Sequence, residues 1–134
     1  MRKKKKTEKS KLEKKADKLL TPVAKKRNPR CESCGAETQV GHHWIEKSRS
    51  NKLRHDMRNI VSLCHKCHFR IHNKYGCSVV GALDVAEVII KKRGRQWKNE
   101  MDRESQETIK YDVNYLLNQM EKLENYLTNK KKSI

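Results

Sequence analysis

Two Cys-x-x-Cys pairs, Cys31/Cys34 and Cys64/Cys67, constrain this chain more than any other feature. A Cys-x-x-Cys turn aims two thiolates at one ion, and two such turns close a tetrahedral zinc site. A four-cysteine site is structural, because no coordination position remains for water. Ordinary buried thiols or a redox pair are the alternatives; two equally spaced pairs, the first followed by Gly35, favour zinc. The gap between the pairs is longer than the about 15–20 residues of a common zinc ribbon, so something is carried between the knuckles.

What is carried is a histidine pair, His42-His43, with Asn59 further on; His68 and His72 then follow the second knuckle. At i and i+4 on a helix, His68 and His72 share one face and can grip one ion together. Cys67 directly precedes His68, so the knuckle would pin the start of that helix. His42 can complete a three-histidine shell that leaves positions for water and a phosphate oxygen. His43 is then free to act as a base. Strand neighbours point to opposite faces, so the pair can serve one site only if the backbone bends there. Surface histidines or spare zinc ligands are the alternative for each residue alone; the combined spacing favours a catalytic site.

The segment from Cys31 to His72, with its HH, DMRN and CHFRIH phrases, resembles the HNH nucleases of the ββα-metal class, also called His-Me fingers. Its HH…DMxN…HxxxH pattern is similar to the nuclease domains of DNA-cleaving colicins. The knuckles, the GHHWIEKSRSNKLR phrase and the KKADKLL…RNPRCESCG lead-in resemble phage NinG-type recombination endonucleases. The resemblance implies that His43 is the general base and that His42, His68 and His72 hold the catalytic divalent ion. It implies that Asn59 ties the loop and holds the base in place. Many family members have Asp where His42 stands; an all-imidazole shell suits zinc or nickel better than magnesium, so Mg2+, Mn2+, Ni2+ and Zn2+ are all candidates. An imidazole near its ordinary pKa can take a proton from water, and the ion neutralises charge on the phosphate. Cleavage to a 3′-hydroxyl and a 5′-phosphate is implied, as is a phage or prophage role in recombination or DNA processing, in the cytoplasm of a bacterial host. A zinc-stabilised DNA-binding module that does not cut, and an RNA-directed nuclease or toxin, are the rival functions.

With 134 residues and a net charge of +17, the chain reads as one small domain with tails, for which a metal staple supplements a limited core. Such charge calls for a polyanion, most simply DNA. No base-reading helix is evident, so contact with the backbone and low sequence specificity are expected. An acidic membrane surface would also attract the charge, but no apolar run is long enough to span a bilayer and none reads as a signal peptide. Five cysteines, four of them in knuckles, fit a reducing compartment; Cys77 is left as an ordinary thiol.

The expected fold is α+β and mostly helical: a zinc-stapled ββα core flanked by N- and C-terminal helices. The divisions fall at 1–27 (basic tail and amphipathic helix), 28–76 (the metal-binding module) and 77–134 (helical extension). The initial lysine run reads as a disordered arm for phosphates. Leu12, Ala16, Leu19 and Leu20 predict a helix over about 8–20, a lid on the core, with Pro22 marking an end or kink. Strands are expected at Val40 to Ile45 and over Ile60, Val61 and Leu63. Trp44 is expected in the core, with stacking on a DNA base the alternative. Lys47, Arg49, Lys52 and Arg54 in the intervening loop, and Arg70 on the histidine helix, are expected to face phosphates. His55 and His65 read as exposed bystanders. Ala82 to Arg93 predicts a helix stopped by Gly94, then a polar stretch with a turn over 95–105. Ile109, Val113, Leu116, Met120, Leu123 and Leu127 keep a heptad rhythm, for packing on the first helix of the same chain or for homodimerisation. The tail, Lys130 to Lys132, is basic again.

Overall fold

The computed structural model describes residues 7–72 and 79–129, with the backbone alone for 79–84. Of the lysine run over residues 1 to about 11, expected as a disordered arm, residues 1–6 lie outside the described residues and those from Glu8 on are helical. Tyr75-Gly76, Cys77 and Lys130 to Lys132 also lie outside the described residues. The order is α1 (Glu8–Arg27), β1 (Val40–His43), β2 (Ile60–Leu63), α2 (His65–His72), α3 (Val79–Arg93), α4 (Arg95–Glu104) and α5 (Val113–Thr128). The fold is α+β and mostly helical, as expected.

Thr7 caps α1 by accepting a hydrogen bond from the Ser10 amide at 3.1 Å, satisfying one of the helix's unpaired N–H groups. Ala16, Leu20, Val23 and Ala24 are buried along its inner stripe, the i, i+4, i+7, i+8 pattern of an amphipathic helix. The helix does not stop near Pro22; it continues to Arg27. Pro22 is exposed and removes only one backbone donor. Beyond it Val23 and Ala24 pack, with Leu20, on Ile60 and Leu123, and that burial outweighs the lost hydrogen bond.

β1 and β2 form an antiparallel ribbon in the register Val40↔Leu63, Gly41↔Ser62, His42↔Val61 and His43↔Ile60. Every residue of β2 is buried. Its outer edge is covered by the side chains of Glu32 and Arg93, and the Glu32 amide donates to the Ser62 carbonyl at 2.8 Å. The outer edge of β1 lies against α1: the Gly41 amide donates to Thr21 Oγ1 at 3.2 Å. A Cβ at Gly41 would stand 2.8 Å from the Leu20 carbonyl oxygen, so glycine is what lets helix and strand approach.

The main core joins Cys31, Val61, Leu63, Cys64, Cys67 and Ile71 to Val85 and Ile89 of α3. α3 ends where expected, at Gly94, whose φ of +99° breaks the helix. The polar stretch after it, expected to include a turn, is mostly a further helix, α4, with the turn only at its end, at Ser105 and Gln106. Trp97 and Met101, one turn apart, pack on Trp44, Ile45 and Leu53, and two apolar residues in a polar sequence are enough once they meet a tryptophan. Trp44 sits in the core, its ring 5.0 Å from that of Trp97. α5 begins after Ile109, at an Asp112 cap that accepts from the Tyr115 amide at 2.9 Å. It packs chiefly on α1 of the same chain, with Leu116 and Leu123 buried.

Candidate active site

The first knuckle is built by backbone hydrogen bonds. The Cys31 amide donates to the Ala36 carbonyl at 2.6 Å and the Gly35 amide to the Cys31 carbonyl at 2.9 Å. Gly35 takes φ +81° to close the turn, a conformation glycine adopts without strain. The four Sγ atoms of Cys31, Cys34, Cys64 and Cys67 lie within 4.8 Å of one another. Zinc–sulfur bonds of about 2.3 Å place tetrahedral thiolates roughly 3.8 Å apart, and Cys34 and Cys64 stand at 3.6 Å. The cluster is therefore compatible with structural zinc. Amides of Ser33 and Cys67 donate to the sulfurs of Cys31 and Cys64. Burial pushes the Cys31 thiol up, yet backbone donors at Cys34, Cys64 and Ser33 outweigh it and bring the thiol down to about 7.

From this knuckle the chain turns into α2, whose first turn closes with the His68 amide on the Cys64 carbonyl at 2.9 Å. His68 and His72 consequently rise from one face, their Nε2 atoms 3.0 Å apart. His42, from β1, meets them edge-on, with ring centroids at 5.3 and 4.8 Å. One ring nitrogen from each histidine falls within 4.8 Å of the others. Metal–nitrogen bonds of about 2.0–2.1 Å need ligand atoms roughly 3.4 Å apart, so the three imidazoles fit a divalent ion with small adjustments. Burial, then the neighbouring His72 and His65, hold His68 below the usual histidine pKa. That favours the neutral ring a metal requires.

β1 ends at His43 and the chain bends at Trp44 and Ile45. Both histidines of the pair thereby line one cleft of about 440 Å³, shared with His68, His72, Glu46, Lys47 and Ser48. His43 Nε2 lies 2.9 Å from the main-chain carbonyl oxygen of Arg54. A carbonyl can only accept, so in the neutral ring Nε2 carries the proton and Nδ1 the lone pair. Burial lowers the His43 pKa below its ordinary value, opposed in part by the hydrogen bond to Arg54 and by Asp17.

Asn59 is fully buried. Its Nδ2 donates to the carbonyls of Ile45 and Leu53 at 3.0 and 3.2 Å, and its Oδ1 accepts from the Ile45 amide at 2.8 Å. The Trp44 amide donates to the Asn59 carbonyl at 2.9 Å. One side chain thus ties together both ends of the loop that follows the histidine pair.

The loop cations divide. Lys47, Arg49 and Arg70 are exposed. Lys52 instead bridges Glu104 and Glu107 at 3.0 and 2.9 Å, and Arg54 turns inward to Asp17 and Glu13 at 2.7 and 3.2 Å. His65 is exposed as expected. His55 is not: it is buried, with Nε2 2.8 Å from Asp17 Oδ1, because α1 brings a carboxylate over the loop. Burial raises the Asp17 pKa, but hydrogen bonds from His55 and Arg54 outweigh it and hold the carboxyl far below its usual range. Asp17, Glu13 and the buried role of His55 carried no signal in the sequence, since the contacts span widely separated residues.

A model of the HNH endonuclease family matches residues 31–74. The matched segment contains both clusters, His43 and Asn59, and the match implies nuclease or DNA-binding activity. Members of that family act on DNA and use a divalent metal. No curated protein and no solved structure matches the chain. Among the described residues no helix is long and apolar enough to cross a membrane.

Proposed function

We propose that this chain is a metal-dependent HNH endonuclease that hydrolyses DNA phosphodiester bonds. One observation carries the reading: in a single cleft, a three-imidazole cluster stands beside a histidine whose Nε2 is committed to a carbonyl. That commitment leaves His43 Nδ1 as the general base that takes a proton from the attacking water. His42, His68 and His72 would hold the catalytic ion, which supplies charge neutralisation at the phosphate and the departing oxygen. Nitrogen ligands favour Zn2+ or Ni2+, with Mn2+ and Mg2+ as weaker candidates. Asn59 keeps the loop, and so the base, in place. Lys47, which lines the cleft, and the exposed Arg49 and Arg70 draw in the phosphate backbone by a salt-sensitive, sequence-independent attraction; Lys52 and Arg54 serve by holding the loop. Zinc at the four cysteines is structural. The NinG-type resemblance suggests phage or prophage recombination as the setting.

The rival reading, a zinc-stabilised DNA-binding module that does not cut, draws on the net charge of +17. Charge of that kind serves any DNA-binding protein, and binding alone gives the His43–Arg54 bond and the three-histidine cluster no task. The deciding experiment is cleavage of supercoiled plasmid by protein whose histidine site is refilled separately with magnesium, manganese, nickel or zinc. Wild type is expected to cut and His43→Ala, with its structural zinc retained, to lose cutting while still binding. Equal binding and no cutting by either protein on plasmid, branched and single-stranded DNA would favour the module.

A further inference from the structure

Resting on the nuclease reading above, we infer that Asp17, on α1 and outside residues 31–74, is a positioning residue for His43. It acts by anchoring Arg54, whose main-chain carbonyl orients the His43 ring.

That carbonyl belongs to a run of turns, residues 51–55, with no sheet or helix to fix it. Its anchor is the side chain of the same residue. Arg54 Nη2 and Nε donate to Asp17 Oδ2 and Oδ1 at 2.7 and 3.1 Å, a two-pronged pair that fixes orientation as well as distance. Arg54 Nη1 donates to Glu13 Oε2 at 3.2 Å, an oxygen that also accepts from the Tyr111 hydroxyl at 2.6 Å. The next residue, His55, donates from Nε2 to Asp17 Oδ1 at 2.8 Å, and its side chain has no exposed surface. Two consecutive loop residues therefore converge on one carboxylate. α1 is itself fixed to the strand that carries the histidine pair, through Thr21 and Gly41. Asp17 is not among the residues of the histidine cluster or the cleft lining; apart from the through-space pull of its charge on His43, it reaches the ring through Arg54 and His55.

The test uses the full chain with its structural zinc. Nitrogen-resolved NMR of the His43 imidazole reads its tautomer, and single-turnover nicking of supercoiled plasmid with manganese reads its work. Wild type is expected to show one tautomer, with the proton on Nε2. In Asp17→Asn the ring is expected to populate both tautomers, and nicking to fall by about 10- to 100-fold, as for a misplaced reacting group. Plasmid binding and zinc content stay at the wild-type level, and Asp17→Asn adds no loss in a His43→Ala background. Arg54→Lys, which keeps the charge but not the fork, gives the same ring signature and serves if Asp17→Asn does not fold. A His43 ring unchanged by these substitutions overturns the inference, whatever the rate. So does a loss of nicking matched by equal loss of plasmid binding or zinc. If the ring is released but wild type never cuts, the nuclease reading fails and the anchoring role stands.

Discussion

The Arg93 guanidinium grips the Glu32 carboxylate in a fork, Nε to Oε1 at 2.6 Å and Nη2 to Oε2 at 2.8 Å. From that position Nη1 and Nη2 also donate to the carbonyls of Arg58 and Ile60, both at 2.9 Å, while Glu32 Oε2 accepts from the Ser62 amide at 2.6 Å. The pair therefore does for the edge of β2 what a third strand would do. It also joins three parts: Glu32 sits inside the first knuckle and Arg93 ends α3. Arg93→Met is expected to leave Glu32 short of donors and the Ile60 carbonyl without its guanidinium partner, while the Arg58 carbonyl keeps the Trp97 indole, at a cost of about 3–5 kcal/mol. Lys98→Ala, which breaks the exposed pair with Asp102, should cost no more than about 0.5 kcal/mol. Urea unfolding of the two variants beside wild type checks both values.

Asn59→Ala removes three hydrogen bonds and leaves the amide and carbonyl of Ile45 without those partners, while the Leu53 carbonyl keeps the Asp56 amide. At about 1–3 kcal/mol for each unsatisfied buried group, the variant should lose roughly 3 kcal/mol or more. Its signature is local: the Ile45 amide should exchange with solvent far faster than in wild type. Asn59→Asp should be no milder, since a carboxylate cannot donate to either carbonyl.

The two clusters should respond differently to removal of a ligand. Cys67 lies in the core with Val61, Leu63, Ile71 and Ile89, so Cys67→Ala is expected to lose zinc and cooperative unfolding together. His72 is exposed at the end of α2. His72→Ala should keep the cysteine-bound zinc and the wild-type melting profile while losing the added divalent ion. Metal analysis beside thermal melts separates these outcomes.

Glu104 carries a pH dependence of predictable sign. Hydrogen bonds from Arg58 and, secondarily, Lys52 lower its pKa from 4.5 to about 2. A carboxyl depressed by folding contributes its stability above the unfolded pKa and loses it as pH falls through the folded one. Stability should thus decline between about pH 4.5 and 2. Glu104→Gln should start lower and decline less over that window, as urea midpoints across the range would reveal.

The cysteine and histidine clusters were legible because their residues are close in sequence and their spacing encodes geometry: knuckles by turns, His68 and His72 by one helical turn. The strands and the arrest of α3 at Gly94 were readable for the same reason. What escaped depends on distant partners. Pro22 would end a helix judged alone, but not one that buries Val23 and Ala24. α4 has few apolar residues and declares itself only against Trp44. Arg54 looks like a phosphate contact until α1 sets two carboxylates beside it, and His55 looks exposed until Asp17 covers it. Local pattern located the two clusters; the loop's supports are tertiary.

α1 owes its buried stripe partly to α5: Leu20, Val23 and Ala24 share a cluster with Leu123, close to the opposite end of the chain. On a ribosome adding about 5–20 residues per second, the segment over residues 31–72 emerges several seconds before that helix does. A nascent chain therefore holds all the residues of both the cysteine and the histidine cluster while α1 still lacks its cover. Order of synthesis delivers the two clusters first and the cover of α1, on which the loop beside His43 rests, last.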